Sequence, residues 1–465
     1  AVHERCGKEI EIIPSKQWYI DILSNKELFL KAADRINWYP ENMKNRYISW
    51  VENLKWDWCI SRQRYFGVPF PIWYCKNCGK VIIARDDMLP VNPLETLPDE
   101  PCTCGCNEFI PESAVLDTWA TSSLTPQINA RWDEANDISG RLLPMSMRTQ
   151  AHEIIRTWAF YTIVKSLYHT GLVPWKDIMI CGFVLAKKGE KISKSRGNSE
   201  LSPKELIENH SADVIRYWAA NSRLGTDTFF SIDELGIGKR FITKLWNASR
   251  FALAHLQDID INASVELMPV DRWIIERCKQ TTIDAHNLLE QYEIGLARHK
   301  IDDFFWKDFC DNYLEIVKER LYQPEKHGYK QRQSAQYALY YSMLNLLKLY
   351  AIYVPHITEY IYQEFFRKYE KAISLHRLRW DIEKSVDNEI ILFGEKLKDV
   401  ISEVRKYKTE NAMSRKAEIE KVVITTDERL AELFRQTIND IKACCHAKTV
   451  EIAVNCQHIA SVPKL

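Results

Sequence analysis

No stretch of these 465 residues is apolar for long enough to cross a bilayer as a helix. The opening, AVHERCGKEIEI, holds neither an apolar signal core nor an initiator Met, which points to a processed chain or a piece of a longer one. Net charge is lacking too: 63 Lys and Arg meet 63 Asp and Glu. No global field therefore attracts a polyanion, and any nucleic acid must be held by local basic patches. There is no internal repeat and no low-complexity tract, and a chain of this length suits two to four domains with sizeable cores. A secreted disulfide framework is excluded by how the 13 cysteines fall. Five lie in two clusters, Cys75/Cys78 and Cys102/Cys104/Cys106, and the others are scattered. That pattern suits a reducing compartment, here the cytoplasm, and one metal site.

What is present changes character along the chain. Residues 1–50 mix strand-like pieces with a charge-rich helix, and residues 51–112 are rich in Pro and Cys, with LPVNPLETLPDEPC plainly loop. Such a region needs a staple. Strand and helix then alternate. AVLDTWATSS reads as strand then loop, HEIIRTWAFYTIVKSLYHTG as a helix ending at Gly171, and WKDIMICGFVL as a buried strand. SPKELIENHSADVIRYWAANS reads as one helix, with Ser202 as N-cap, Pro203 at its first position and Glu205 completing a capping box. This alternation predicts part of a parallel α/β sheet, in which ligands bind at the carboxyl ends of strands.

From about 238 to 385 the pattern is helical throughout. Ile301, Phe304, Phe305 and Phe309 form an apolar stripe that continues through Cys310, Tyr313, Leu314, Val317 and Leu321, while NLLKLYAIYVPHITEYIYQEFF is interrupted at Pro355. A helical bundle is the simplest reading. Beyond 390, EKLKDVISEVRKYKTE (helix), IEKVVITT (strand), ERLAELFRQTINDIKACC (helix) and TVEIAV (strand) predict a small α/β appendage.

Cys75 and Cys78 in YCKNCGK have the Cys-x-x-Cys spacing of a zinc knuckle, and PCTCGCN offers three thiols for the second pair. Cys104 precedes Gly105 as Cys78 precedes Gly79, which selects Cys102 and Cys104, with Cys106 as a substitute. Four thiolates leave no open position, so a Zn²⁺ held there is structural. The stretch GEKISKSRGN, Gly189 to Asn198, follows the buried strand and crowds Lys191, Lys194, Arg196, Ser193 and Ser195 between glycines. It is not a Walker A loop. By composition it is either a solvated turn or a hook whose ammonium groups close on a triphosphate.

Its neighbours decide between these. KISKSRGN resembles the Lys-Met-Ser-Lys-Ser signature of class I aminoacyl-tRNA synthetases, with Ile192 where Met is usual. WDWCISRQRYFGVPFPIWYC resembles the segment re-entering the catalytic domain after the editing insertion of the valyl, isoleucyl and leucyl enzymes. VLDTWATSSL and RTQAHEIIRTWAFYT resemble the amino-acid and adenosine segments of the valyl enzymes, and FFWKDFCDNYLEIVKERLY resembles their anticodon-binding helices. The resemblance runs from about residue 3 to 385.

It implies ATP, Mg²⁺ and a structural Zn²⁺ as cofactors, and valine and tRNA(Val) as partners of a monomer. By position, Lys191 and Lys194 stabilise the triphosphate as the valine carboxylate attacks the α-phosphorus, and Ser193 and Ser195 add hydrogen bonds. Ala151, His152 and Glu153 stand in the ATP ribose segment, although the family has Gly and Asp where this chain has Ala151 and Glu153. Trp119 and Trp158 line the valine pocket or serve as core tryptophans. The fold implied is α/β plus all-α: a partial Rossmann-like parallel sheet with a zinc-knuckle insertion, then a helical bundle and the α/β appendage.

The expected divisions are 1–50, returning from the editing insertion; 51–112, zinc binding and re-entry; 113–225, the catalytic half carrying the KISKS loop; 226–265, linker helices; 266–389, anticodon binding; and 390–465, the appendage. The family's His-x-Gly-His signature does not occur, so the expectation is a carboxyl-terminal half, inactive alone, of a longer ligase. A non-catalytic zinc-containing RNA-binding module and an isoleucine enzyme are the competing readings.

Overall fold

The computed structural model describes residues 2–3, 6–11, 14–132, 138–186, 190, 192 and 202–454. Two compact units divide the chain: Ala1–Phe183 with Leu224–Thr226, and Val184–Arg223 with Asp227–Leu465. Among the described residues no helix is long and apolar enough to cross a membrane.

At the centre of the first unit is a parallel three-stranded sheet in the order Asn37–Tyr39, Trp175–Cys181, Met145–Ala151. Trp175, Ile178 and Ile180 of the middle strand are buried, and with Phe29, Tyr47, Phe160 and Ile163 from helices they form the core. The expected helix before Gly171 begins with a 3₁₀ turn, His152–Ile154, and a π-turn, Ile155–Ala159, ahead of the α-helix Phe160–Thr170. Widening that turn lets Ile155, Trp158, Ala159 and Phe160 all enter the core. Gly171 ends the helix at φ 70°, donating its N–H to the Leu167 carbonyl at 2.9 Å. TWATSS, expected as loop, is instead the short helix Thr118–Ser122, because the Asp117 carbonyl accepts from the N–H groups of Ala120 and Thr121.

A separate antiparallel sheet, ordered Val81–Ile83, Ile72–Cys75, Phe109–Pro111, carries the first cysteine at the end of its middle strand. Its Trp73 is fully buried, and the indole N–H donates to the Thr96 carbonyl at 2.9 Å, so the polar loop folds over the sheet.

The second unit is built on long helices. The predicted apolar stripe from Ile301 to Leu321 is buried throughout. It runs through Ile294–Asp303, the π-helical Phe304–Tyr313 and Leu314–Tyr322, and the wider middle turns keep Phe305, Phe309 and Cys310 on the inner face. Pro355 starts a new helix, as expected from the interruption. Two single-helix expectations fail. SPKELIENHSADVIRYWAANS breaks at Ser211 (φ 66°) into Pro203–His210 and Ala212–Ala219. The break frees Asp213 to accept from the N–H groups of His356 and Ile357 at 3.2 and 2.8 Å, capping the neighbouring helix. The capping box at Ser202 and Glu205 forms as expected. ERLAELFRQTINDIKACC likewise breaks at Thr437, into Glu428–Gln436 and Ile438–Cys445.

Those two helices connect the parallel strands Ile419–Thr426 and Ala447–Val454 in a β-α-α-β arrangement. This α/β part does not have its own core. Val422, Phe434, Ile441 and Val450 join one apolar cluster with Phe393, Leu397 and the bundle. Gly394, on the helix Asn388–Glu410, lies against Trp273, where a Cβ would come within 1.9 Å of the indole.

A buried ion network crosses the same boundary. The Arg320 guanidinium is 1% exposed and grips Asp271 through Nη1 and Nη2 at 2.8 and 3.1 Å. Its Nε lies 2.8 Å from Asp440 Oδ1, an ionic contact rather than a directed hydrogen bond. Tyr313 donates to Asp271 at 2.7 Å, and the Ser334 hydroxyl donates to it as well. Two carboxylates thus face one guanidinium. Burial pushes Asp440 up to about 6; Arg320 opposes this and Asp271 reinforces it. A carboxyl raised on folding contributes stability below its unfolded value, and that contribution is lost as pH rises through about 6. Asp440→Asn, which mimics the protonated acid, is therefore expected to flatten the fall in melting temperature between pH 5 and 7.5; an unchanged slope in thermal melts would refute the assignment.

Candidate functional site

Two loops bring four sulfurs together. Cys75 ends the strand Ile72–Cys75, and its carbonyl accepts from Gly79 N–H at 2.9 Å, with Gly79 at φ 70°. The second loop repeats the device: Gly105, at φ 81°, donates to the Cys102 carbonyl at 2.7 Å. Only a residue without Cβ adopts such φ values cheaply, so each cysteine pair is turned back by its glycine. The Sγ atoms of Cys75, Cys78, Cys102 and Cys104 all lie within 4.8 Å of one another, with Cys75–Cys104 and Cys78–Cys102 each at 3.6 Å. Cys106 stands apart, accepting from Glu108 N–H at 3.4 Å.

Crowding sets the chemistry of these thiols. The Cys106 backbone and then the Cys75 and Cys78 thiols pull Cys104 down to about 6. The Lys80 backbone pulls Cys78 down too, but the thiols of Cys75, Cys104 and Cys102 outweigh it and push Cys78 up to about 12. Four sulfurs this close cannot all be thiolates without a cation among them. A tetrahedron with sulfur about 2.3 Å from a central Zn²⁺ has edges of about 3.8 Å, close to the spacing found. The donors are soft and the cage is full, which fits a thiophilic structural metal.

The second group sits at the carboxyl end of the parallel sheet. Ala151 is the last residue of the strand Met145–Ala151, and His152 and Glu153 occupy the 3₁₀ turn that follows. Arg46 Nη1 lies 3.2 Å from His152 Nδ1, and the imidazole stands edge-on to Phe183 at 4.5 Å. Trp158 is buried and stacks on Trp175 at 5.6 Å, and the Arg148 guanidinium lies 3.6 Å from its ring centroid. Burial lowers the pKa of Arg148. Trp119, on the short helix Thr118–Ser122, packs half-buried against the same core. Lys191, Ser193, Lys194 and Ser195 lie outside the described residues.

Sequence reasoning passed over Arg148 and Asp117. Asp117 is 5% exposed, with Arg62 3.4 Å from one oxygen, while its Oδ2 and the Gln150 Oε1 are buried without a hydrogen-bond partner among the described residues. Buried polar groups are normally satisfied, so these oxygens are open to a polar ligand. The only sequence signal was an acid at the start of TWATSS, which by itself reads as a turn residue.

Residues 8–231 match the family described as tRNA synthetases class I (I, L, M and V), and residues 271–424 match the anticodon-binding domain of tRNA ligase. The valine–tRNA ligase of Wolbachia sp. subsp. Brugia malayi (strain TRS) is 42% identical over 468 residues, covering 98% of this chain and 54% of that protein. That of Methanopyrus kandleri is 40% identical over 469 residues, covering 99% and 50%. The chain spans about half the length of these curated relatives. Among solved structures, the apo methionyl-tRNA synthetase of Mycobacterium tuberculosis shares the fold at a TM-score of 0.58 and 14% identity, over 78% of this chain and 65% of that one. LeuRS of Agrobacterium radiobacter K84, in a ternary complex with tRNA and LeuAMS, does so at 0.54 and 17%, over 80% and 44%.

Burial of Trp158 against Arg148 and Trp175 makes it a packing residue first. Trp158→Ala is expected to cost roughly 3–5 kcal/mol in denaturant unfolding followed by Trp fluorescence. A loss under about 1 kcal/mol would mark it instead as a wall that packing does not need.

Proposed function

The chain belongs to the class I tRNA synthetases, and from that premise we propose that it serves a valine–tRNA ligase, which joins valine to tRNA(Val) through valyl-adenylate. The observation that carries this is identity of 40–42% to valine–tRNA ligases across 98–99% of the chain, through both matched segments. A carboxylate oxygen of valine attacks the α-phosphorus of ATP and pyrophosphate departs. Lys191 and Lys194 neutralise charge on the departing phosphates, and Ser193 and Ser195 donate to phosphate oxygens. Mg²⁺, when bound, supplies further charge neutralisation at the triphosphate. His152 and Glu153 hold the ribose, and Glu153 accepts from a sugar hydroxyl. Trp119 and Trp158 bound the pocket for valine's branched side chain.

In this reading the parallel sheet is the second half of a Rossmann-like nucleotide site. The helices of residues 271–424 bind the anticodon arm, and the protein works as a cytoplasmic monomer. The four cysteines hold one structural Zn²⁺ that takes no part in the chemistry.

The activity is tested by amino-acid-dependent ATP–pyrophosphate exchange in the natural protein that carries this chain. Valine is expected to support exchange well above isoleucine and leucine, and Lys194→Ala to lower it by roughly 100- to 1,000-fold with tRNA affinity nearly unchanged. Exchange with none of the three amino acids, alongside retained RNA binding, would replace the ligase by a non-catalytic binding module. For the metal, elemental analysis is expected to find about one Zn²⁺ per chain, lost in Cys78→Ser and Cys104→Ser and kept in Cys106→Ser. Loss in Cys106→Ser with retention in Cys104→Ser would exchange the two ligands.

A further inference from the structure

Arg148 stands in the strand Met145–Ala151, in register with Ile178 of the middle strand. Ile178 is 0% exposed, and an aliphatic residue at 148 would pack beside it without taking a charge out of water. Arginine is half-buried there instead, and burial alone lowers its pKa. Ion pairing does not account for it. Among the described residues Arg148 forms no ion pair, and its Nε is buried without a hydrogen-bond partner.

What the guanidinium does meet is an aromatic ring, with its central carbon 3.6 Å from the centroid of Trp158. The π-electrons of an indole attract a cation at that distance, and more strongly where water is excluded. Trp158 is 7% exposed, and its ring plane lies 9° from that of Trp175. It belongs to the π-turn Ile155–Ala159, ahead of the regular helix that begins at Phe160. Thr162 donates through Oγ1 to the Trp158 carbonyl at 2.6 Å, which holds the backbone but not the ring. The ring takes its place from what packs on it, and Arg148 adds a charge to that packing.

We propose that Arg148 is a positioning residue for amino-acid selection: its charge over the indole fixes Trp158 as a wall of the pocket for valine's side chain. This rests on the ligase reading above, in which Trp158 bounds that pocket. Arg148 touches no reactant and acts through the ring. Valine and isoleucine differ by a single methylene, so a wall free to shift blurs the distinction between them.

The test is ATP–pyrophosphate exchange by the natural protein that carries this chain, with valine and with isoleucine. Thermal melts establish that each variant is folded. Arg148→Met keeps most of the side chain's length and removes its charge. It is expected to raise the KM for valine roughly 5- to 20-fold and to lower the preference for valine over isoleucine roughly 5- to 10-fold. The kcat and the KM for ATP are expected to stay within about two-fold. Arg148→Lys, which keeps the charge without the plane, is expected to bring the KM for valine back to within about 5-fold of the parent. In a Trp158→Leu background, which lacks the π face, Arg148→Met is expected to change that KM by less than about two-fold.

An unchanged KM and preference in Arg148→Met would overturn the proposal. So would a fall in kcat with both KM values unchanged, which marks a part in the chemical step. Equal effects of Arg148→Met with and without Trp158 overturn it too, because the residue then does not act through the ring. Should Arg148→Met fail to fold, Arg148→Gln carries the same expectations. If the parent shows no valine-dependent exchange, the ligase reading falls and this inference with it. If the parent exchanges and the Arg148 variants match it, only the inference falls.

Discussion

The contact on which the second unit depends is the buried guanidinium of Arg320. It meets Asp271 from the helix Pro269–Leu289 and Asp440 from the helix Ile438–Cys445, and its side chain is 1% exposed. Its Nη1 also donates to the Gln331 carbonyl on the helix Tyr329–Tyr350. A charge taken out of water is costly unless it is fully paired, and removing one partner of such a pair costs about 3–5 kcal/mol. Four helical segments, from Pro269 to Cys445, are thereby fixed to one point. Leu314–Tyr322, which carries Arg320, and Ile438–Cys445, which carries Asp440, also wall a cavity of about 1180 Å³ lined by nine lysines and arginines. The geometry of that cavity is therefore set from inside the core, not by its exposed lysines.

The cysteine-bearing sheet of the first unit solves the opposite problem. Its own buried cluster amounts to Phe70, Ile72 and Ala114, with Trp18, Ile60, Tyr74 and Leu116 partly covered. So small an apolar set cannot order the long loop between Ile83 and Phe109 against the loss of chain entropy. Two arrangements compensate. Trp73 gathers the loop through its indole hydrogen bond, and the four sulfurs tie the loop's far end back to the sheet. One is apolar burial with a single polar anchor; the other needs almost no buried area.

The features that sequence carried were local ones. Gly171 after an apolar run, Ser202 three residues before Glu205, and the stripe from Ile301 to Leu321 each depend on spacing within one or two turns, and each formed. The cysteine spacing was legible for the same reason, since each pair sits on its own glycine turn. What stayed hidden depends on distant partners. The break at Ser211 exists because Asp213 caps a helix that begins at Pro355. Arg320 reads as a solvated cation on an amphipathic helix until Asp271 and Asp440 arrive from elsewhere. The π-turns at Ile155 and Phe304 give no signal of their own, because a residue added to a turn disturbs the apolar pattern by one position only. In the segments expected to meet ribose and valine, sequence did not point to half-buried Arg148, which lies over Trp158, or to buried Asp117, which pairs with Arg62.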